Sequence, residues 1–210
     1  MKDNGIKTFL SRLARFVGLL VVAWFVLMFA VSNLGDAVQE PFRRFTNLAV
    51  GHWPTGGFSR QRFAEMEQHE NVDVLFAGSS HCYRTFDPRF YRDRGLAVFN
   101  MGSTAQTPLN AYYLLEGRID RLKPKLVVME VFWAVLGADG TESFLDLLTN
   151  APLDGNLVRM GIATGSLRSA TALLSRWMRI GELESGPVTG TGHYVAGGFA
   201  ERREGFVGDL

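Results

Sequence analysis

Apolar residues form one long run near the N-terminus and three short runs further along the chain. The long run reaches from Phe16 to Val31 without a charge or a proline, and apolar neighbours extend it over residues 13–34. About 20 apolar residues are enough to cross a ~30 Å hydrocarbon core as a helix. We therefore predict a single-pass transmembrane anchor at residues 13–34.

Basic residues flank this run on its N-terminal side. By the positive-inside tendency, residues 1–12 stay in the cytoplasm and the rest of the chain is exported. This predicts a bacterial-type cytoplasmic (inner) membrane protein with an exported C-terminal domain. A cleaved signal peptide and a buried core helix are the alternatives, and the length of the run favours the anchor. The basic residues are Lys2, Lys7, Arg12 and Arg15.

Three short apolar runs, at residues 72–78, 96–102 and 124–132, predict parallel strands buried on both faces. Between the second and third runs, Thr107 is a good N-cap residue and Pro108 fits the first position of a helix. The apolar residues that follow recur at spacings of three and four, as on one face of a helix. A strand, a helix and a strand in this order predict a crossover unit of a three-layer α/β domain.

Composition divides the rest of the chain. Residues 35–70 carry glycine, proline and mixed polarity, which predicts a juxtamembrane connector with a short helix over residues 60–70. Residues 71–183 form the predicted α/β domain, which ends in an amphipathic helix over residues 167–183. Residues 184–210 are a Gly-rich tail without a run that suits a central strand. The connector side chains expected near the bilayer are Phe42, Phe45 and Trp53.

Composition and charge exclude several classes of protein. The 210 residues carry a net charge of +1, and 47% of them are hydrophobic, so the chain is neither disordered nor a multi-span membrane protein. No basic cluster with interleaved aromatic residues suggests a nucleic-acid partner. A single cysteine rules out a disulfide within the chain and metal sites built on paired cysteines. Without metal-ligand spacing or a phosphate-binding glycine pattern, we expect no metal and no cofactor.

The polar residues that follow the first two strands are the candidate catalytic residues. Gly78-Ser79-Ser80-His81 comes directly after the first strand, and residues 100–107 come after the second. Ligands of open α/β sheets bind at the carboxyl ends of the strands. Two donor-rich loops at that edge suit acyl transfer, with Ser80 as the nucleophile. The alternative is a tight turn of small residues, and the G-x-S-x-G elbow of α/β-hydrolases is absent.

Two residues in or near this segment are expected to have structural rather than catalytic roles. Cys82, as a lone cysteine, is expected to be a small buried residue rather than a reactive thiol. Asp87 precedes Pro88 and is expected to cap a turn. The basic residues nearby are expected to form a solvated face; they are Arg84, Arg89, Arg92 and Arg94.

Two segments, "DVLFAGSSHCYRTFDP" and "VFNMGSTAQTPLNAYYLLEGRIDRLKPKLVVMEV", together resemble the N-terminal half of an SGNH (GDSL-like) hydrolase domain over about residues 72–136. The chain is most similar to membrane-anchored members that act in cell-envelope acyl transfer, such as the D-alanylation proteins of teichoic acid and the alginate O-acetylation proteins. The resemblance implies a partial flavodoxin-like parallel sheet after the transmembrane helix. It also implies a serine esterase or O-acyltransferase that acts on an envelope glycan or lipid.

The resemblance assigns roles to individual residues. Gly78-Ser79-Ser80 matches the family's Gly-Asp-Ser block, so Ser80 inherits the role of nucleophile and Ser79 takes the position of the aspartate. The loop after the second strand supplies a backbone N–H to the oxyanion, from Ala105 or from Gly102. Asn100 would brace that loop.

The sequence departs from the family pattern at two blocks. Ala134 falls near the position where the family has an oxyanion-binding asparagine. The Asp-x-x-His block, which supplies the general base, is absent, so the chain is expected to lack the last strands and helix of such a domain. His81 and His193 remain as candidate bases. The alternatives to an enzyme are a gene fragment or a non-catalytic, membrane-tethered scaffold of an envelope polysaccharide complex, with a multi-span acyltransferase as a partner.

Overall fold

The computed structural model describes residues 3–35, 37–41, 58–178 and 192–202. The chain is a mixed α/β protein with a small parallel sheet and one long apolar N-terminal helix. The helices are α1 (Asp3–Ser32), α2 (Ser59–Met66), α3 (Ser80–Thr85), α4 (Pro88–Arg92), α5 (Pro108–Glu116), α6 (Ile119–Leu122), α7 (Trp133–Leu136), α8 (Thr141–Asn150), α9 (Gly155–Ala163) and α10 (Leu167–Trp177). The strands are β1 (Val74–Ala77), β2 (Val98–Asn100), β3 (Leu126–Met129), β4 (Gly192–Val195) and β5 (Phe199–Arg202).

The parallel sheet has the strand order β2-β1-β3, with β1 in the centre. In its register, Val74 pairs with Val98 on one side and with Leu126 on the other. The three predicted strands therefore form, and all three are parallel. Their carboxyl ends meet at one edge of the sheet, which brings the residues after β1, β2 and β3 together.

Side chains cover both faces of the central strand. Leu75 and Ala77 point into the main hydrophobic core, where Phe63 and Met66 of α2 also lie. Phe76 points to the opposite face and packs in a second cluster with Cys82 and Val98, among others. Because successive strand residues alternate between faces, this division follows from the period of two.

The helix predicted after the second strand begins where the sequence indicated. Thr107 caps α5 and forms a reciprocal capping box with Asn110, and Pro108 is the first helical residue. The apolar periodicity continues to Leu122, but the structure breaks the helix between Glu116 and Ile119. The side chain of Arg118 is buried at this break, and its Nε donates to Glu67 at 2.8 Å.

The third strand differs from the prediction. The run at residues 124–132 suggested a strand buried on both faces, but three of the four residues of β3 are exposed, including Leu126 and Met129. The prediction of burial was wrong because an apolar run does not report whether a strand is central or at an edge. β3 pairs with β1 along one side, and its apolar face continues into the exposed Val131.

A hairpin covers the opposite edge of the sheet. β4 and β5 pair antiparallel, and the turn between them lies against β2, where the Asn100 N–H donates to the Gly197 carbonyl at 2.9 Å. Gly198 has a positive φ of 88°, and a Cβ there would lie 2.2 Å from the Asn100 carbonyl oxygen, so glycine is required. The Tyr194 hydroxyl donates to Glu65 of α2 and holds the hairpin in place. The Gly-rich tail thus contributes an edge hairpin.

Within α1, the stretch Gly5–Ser32 is long and apolar enough to cross a membrane. A signal sequence at the N-terminus meets the same criterion, so length and composition alone leave that alternative open. The connector residues Phe42, Phe45 and Trp53, which were predicted to lie near the bilayer, fall outside the described residues.

Candidate active site

The turn between β1 and α3 forms the centre of the site. Gly78 has φ +155°, and a Cβ at this position would lie 2.5 Å from both Cβ and Oε2 of Glu130. Ser79 is the N-cap of α3, and its hydroxyl accepts a hydrogen bond from the His81 N–H. Ser80 is the first residue of the helix and is partly exposed at the carboxyl edge of the sheet.

Glu130, directly after β3, ties this turn to the neighbouring strand. Its Oε2 accepts hydrogen bonds from the backbone N–H of Ser79 at 2.7 Å and of Cys82 at 3.1 Å. The Ser79 hydroxyl lies 2.9 and 3.0 Å from the two carboxylate oxygens. Ser79 itself is only 2% exposed. The carboxylate therefore fixes the backbone that presents Ser80.

His81 approaches the same pair of residues. Its Nδ1 lies 3.2 Å from the Ser79 Oγ and 3.6 Å from the Glu130 Oε1. Its ring packs on the Phe132 ring with centroids 4.6 Å apart, yet 61% of the His81 side chain is exposed. The contacts of Nδ1 and the packing on the Phe132 ring together restrain the orientation of the imidazole.

The hydrogen bonds around Ser79 determine which ring nitrogen of neutral His81 carries the proton. A hydroxyl donates only one hydrogen bond. The Ser79 Oγ donates that hydrogen to Glu130, so in this arrangement it accepts from the His81 Nδ1–H. The Nε2 atom then keeps its lone pair. The described residues contain no hydrogen-bond partner for Nε2, which is therefore available to a substrate.

The loop after β2 is held against the first turn. The Asn100 Oδ1 accepts from the Gly102 N–H at 3.0 Å, and its Nδ2 donates to the Cys82 carbonyl at 2.9 Å. The Ser103 N–H donates to the Gly78 carbonyl at 3.1 Å. Asn100 thus links the loop after β2 to α3. The Gly102 N–H is already engaged, which favours Ala105 over Gly102 as an oxyanion donor.

Ala105 has an unusual backbone conformation for alanine. Its φ is +47°, in the left-handed region that favours glycine. Among the described residues, the backbone N–H groups of Ser80 and Ala105 donate to no hydrogen bond.

Gln106 and Asp146 stabilise this loop. The Gln106 Oε1 accepts from the Gly78 N–H at 2.7 Å, and its Nε2 donates to the Met101 carbonyl at 3.0 Å. The Asp146 Oδ2 accepts from the Thr104 N–H at 2.9 Å. Both contacts hold the loop without using the N–H of Ala105.

Among the described residues, no hydrogen bond joins Ser80 to the remaining predicted positions. Ala134 is exposed in α7, and its side chain offers no hydrogen-bond donor. His193 lies in β4, where its Nδ1 is 3.8 Å from Glu201 of the paired strand. No described contact joins His193 to Ser80, whereas His81 shares contacts with Ser79 and Glu130.

Sequence reasoning missed Glu130 and Gln106. Glu130 follows an apolar strand directly, in the same position relative to β3 as Gly78 relative to β1. Because the carboxyl ends of parallel strands share an edge, that position was the available signal. For Gln106 no such signal existed, since its partners on the β1 turn depend on how two loops pack.

Cys82 is buried, as predicted, and its sulfur donates to the Asn100 Oδ1 at 3.3 Å. Burial and the nearby Glu130 carboxylate raise the pKa of the thiol to about 12. At pH 8 we therefore expect iodoacetamide to alkylate the folded protein about a thousandfold more slowly than the same protein in denaturant, since only the thiolate reacts. Intact-mass kinetics in both states measure this ratio, and equal rates would contradict the burial of the thiol.

Asp87 also behaves as predicted, because its side chain caps α4 by accepting from the Arg89 N–H at 2.9 Å. In the described ranges no three His, Cys, Asp or Glu residues cluster as metal ligands do.

Comparisons of the chain with protein-family models, with curated proteins and with solved structures found no match.

Proposed function

We propose that this protein is an SGNH-type serine esterase or O-acyltransferase that acts on a cell-envelope glycan or lipid. Ser80 is the nucleophile, and α1 anchors the exported domain to the cytoplasmic membrane. The observation that carries the proposal is the position of Ser80. It is the first residue of a helix, partly exposed, and it follows the last residue of the central strand by three positions. This arrangement supports attack by the hydroxyl on a bound ester.

In the first step, the Ser80 Oγ attacks the acyl carbonyl carbon, and the N–H groups of Ser80 and Ala105 stabilise the developing oxyanion. The proton of the hydroxyl passes to Nε2 of His81, which returns it to the departing alcohol oxygen. An acyl-serine then remains. In the second step, water or a glycan hydroxyl attacks the acyl carbon, gives its proton to Nε2, and Ser80 leaves with that proton.

His81 takes the place of the histidine of the absent Asp-x-x-His block, and Glu130 with Ser79 takes the place of its orienting aspartate. Glu130 and Ser79 hold the proton on Nδ1, so that Nε2 is the basic nitrogen and the positive charge it acquires is stabilised by the carboxylate. His81 and Ser80 make no hydrogen bond in the structure. The transfer therefore runs through a bridging water or after a side-chain rotation, since catalytic hydrogen bonds often form only when substrate binds.

The test is intact-mass labelling of the full-length protein, in detergent, with a fluorophosphonate probe that reacts with activated serines. We expect one label per chain, lost completely in Ser80→Ala and retained in Ser166→Ala, a serine that precedes α10. His81→Ala should slow labelling by about a hundredfold, as loss of a general base does. His193→Ala should leave the rate unchanged.

Absence of labelling from a folded wild-type sample would overturn the proposal, because no activated serine would exist. The non-catalytic scaffold would then be the better interpretation. Labelling that survives in Ser80→Ala would overturn the assignment of the nucleophile. A rate that depends on His193 instead of His81 would overturn the assignment of the base.

A further inference from the structure

The C-terminal end of the apolar helix α1 packs against the domain. Met28 and Val31 are fully or almost fully buried in a small hydrophobic cluster with Leu174 of α10. Trp24 and Met178 pack at the margin of this cluster. Trp24, Met28 and Val31 are spaced by four and three residues, so one face of α1 makes the contact.

This contact lies at a defined depth along the proposed span. The predicted span ends at Leu34, so the hydrocarbon boundary falls close to that residue. At about 1.5 Å per residue, Val31 lies about 5 Å and Met28 about 9 Å inside that boundary. Leu174, which packs against both, is therefore held at the depth where interfacial helices bury their apolar side chains, about 5–10 Å into the headgroup and acyl boundary.

Trp177 lies on the same part of α10. It is three residues after Leu174 and directly before Met178, yet 69% of it is exposed. An exposed tryptophan is costly in water and favourable at the membrane interface, where its ring sits among the headgroups. Arg176, in the last turn of α10, adds a positive charge that suits anionic lipids.

We propose that the C-terminal half of α10 lies in the outer interfacial layer of the bilayer, with Trp177 in contact with lipid. We choose the bilayer as the partner of this surface because α1 itself enters the bilayer. The contact between α1 and Leu174 makes the surfaces of α1 and α10 continuous. This inference rests on the proposed membrane anchor and goes beyond it. The contact between α10 and the membrane would orient the domain, and it does not depend on the reaction proposed for Ser80.

The experiment uses the full-length protein in vesicles of phosphatidylethanolamine and phosphatidylglycerol. Three variants each keep one of Trp24, Trp133 and Trp177, with the other tryptophans, including Trp53, replaced by phenylalanine. The vesicles carry a nitroxide quencher on the acyl chain, either near the headgroup or near the chain middle. Trp133 is the matched control, because it is 80% exposed and belongs to no cluster with α1.

We expect Trp177 to lose more fluorescence to the shallow quencher than to the deep one. Trp24 should be quenched by both, with a larger share from the deep quencher, and Trp133 should be quenched by neither. If Trp24 is quenched and Trp177 is not, the anchor stands and the proposal for α10 is overturned. If Trp24 is not quenched, both fail. Equal quenching of Trp133 and Trp177 also overturns the proposal, because adhesion would then not be specific to α10.

Discussion

Replacing Gly78 with alanine is expected to lower the free energy of unfolding by about 3–5 kcal/mol, from overpacking together with backbone strain. The added Cβ would lie 2.5 Å from the Glu130 Cβ and 2.9 Å from the Cys82 Cβ. Neither atom is the end of a flexible side chain, so relief requires β3 or α3 to move. The φ of +155° adds strain, because this region of backbone conformation is largely confined to glycine.

Chemical denaturation of full-length Gly78→Ala beside the wild type measures this loss. Gly137→Ala is the matched control, since a Cβ at Gly137 meets no atom within 4 Å and its φ of −93° suits alanine. The control is expected to unfold at the same denaturant concentration or slightly higher. A Gly78→Ala protein as stable as the control would mean that the β1–α3 turn is not packed against Glu130. That result would also remove the structural basis of the site.

Replacing Glu130 with glutamine is expected to lower both the stability of the protein and the reactivity of Ser80. The substitution keeps the shape of the side chain and removes its charge. One carboxylate oxygen accepts two backbone N–H bonds, and both oxygens contact the Ser79 hydroxyl. Hydrogen bonds to a charged group are each worth about 1.5–3 kcal/mol, and we expect the variant to lose about that much stability. An amide NH₂ would also face Ser79 Oγ and disturb its bond to His81.

The consequence for His81 can be measured separately from stability. Nitrogen-15 NMR of ring-labelled histidine distinguishes the two neutral tautomers. We expect the wild-type His81 to carry its proton on Nδ1, and Glu130→Gln to abolish this preference. Fluorophosphonate labelling of Ser80 should slow by about tenfold or more, within the range of general-base effects.

The controls separate the positioning role of Glu130 from a purely structural one. Glu142→Gln removes an exposed carboxylate near the start of α8 and should change neither the tautomer nor the labelling rate. If Glu130→Gln destabilises the protein but leaves the tautomer unchanged, Glu130 is a structural residue only. A proton on Nε2 of wild-type His81 would contradict the assignment of that nitrogen as the base.

Much of the framework could be predicted because it depends on local preferences. The capping of α5 by Thr107 and of α4 by Asp87 follows from side chains that accept hydrogen bonds from nearby backbone N–H groups. The three strands follow from short apolar runs, and the length of α1 follows from an uninterrupted apolar segment. These patterns also put Ser80 at the carboxyl end of the first strand.

Features that depend on contacts between distant segments were not predictable in the same way. The burial of Arg62 in α2, where its Nε donates to the Gly198 carbonyl at 2.8 Å, has no counterpart in the local pattern, which predicted only a short helix in the connector. The break at Arg118 has its basis in an ion pair with Glu67, 51 residues away. The exposure of β3 depends on whether another strand follows it in space.

The nucleophile candidate was therefore evident from the chain itself, because a Gly-Ser-Ser turn after a buried strand is a local pattern. His81 was also named as a candidate base, but its contact with Glu130 could not be predicted. His81 precedes Glu130 by 49 positions, and only the parallel pairing of β1 with β3 brings the two to one edge of the sheet. Side-chain chemistry defines which residues can act, but the pairing of strands decides which of them meet.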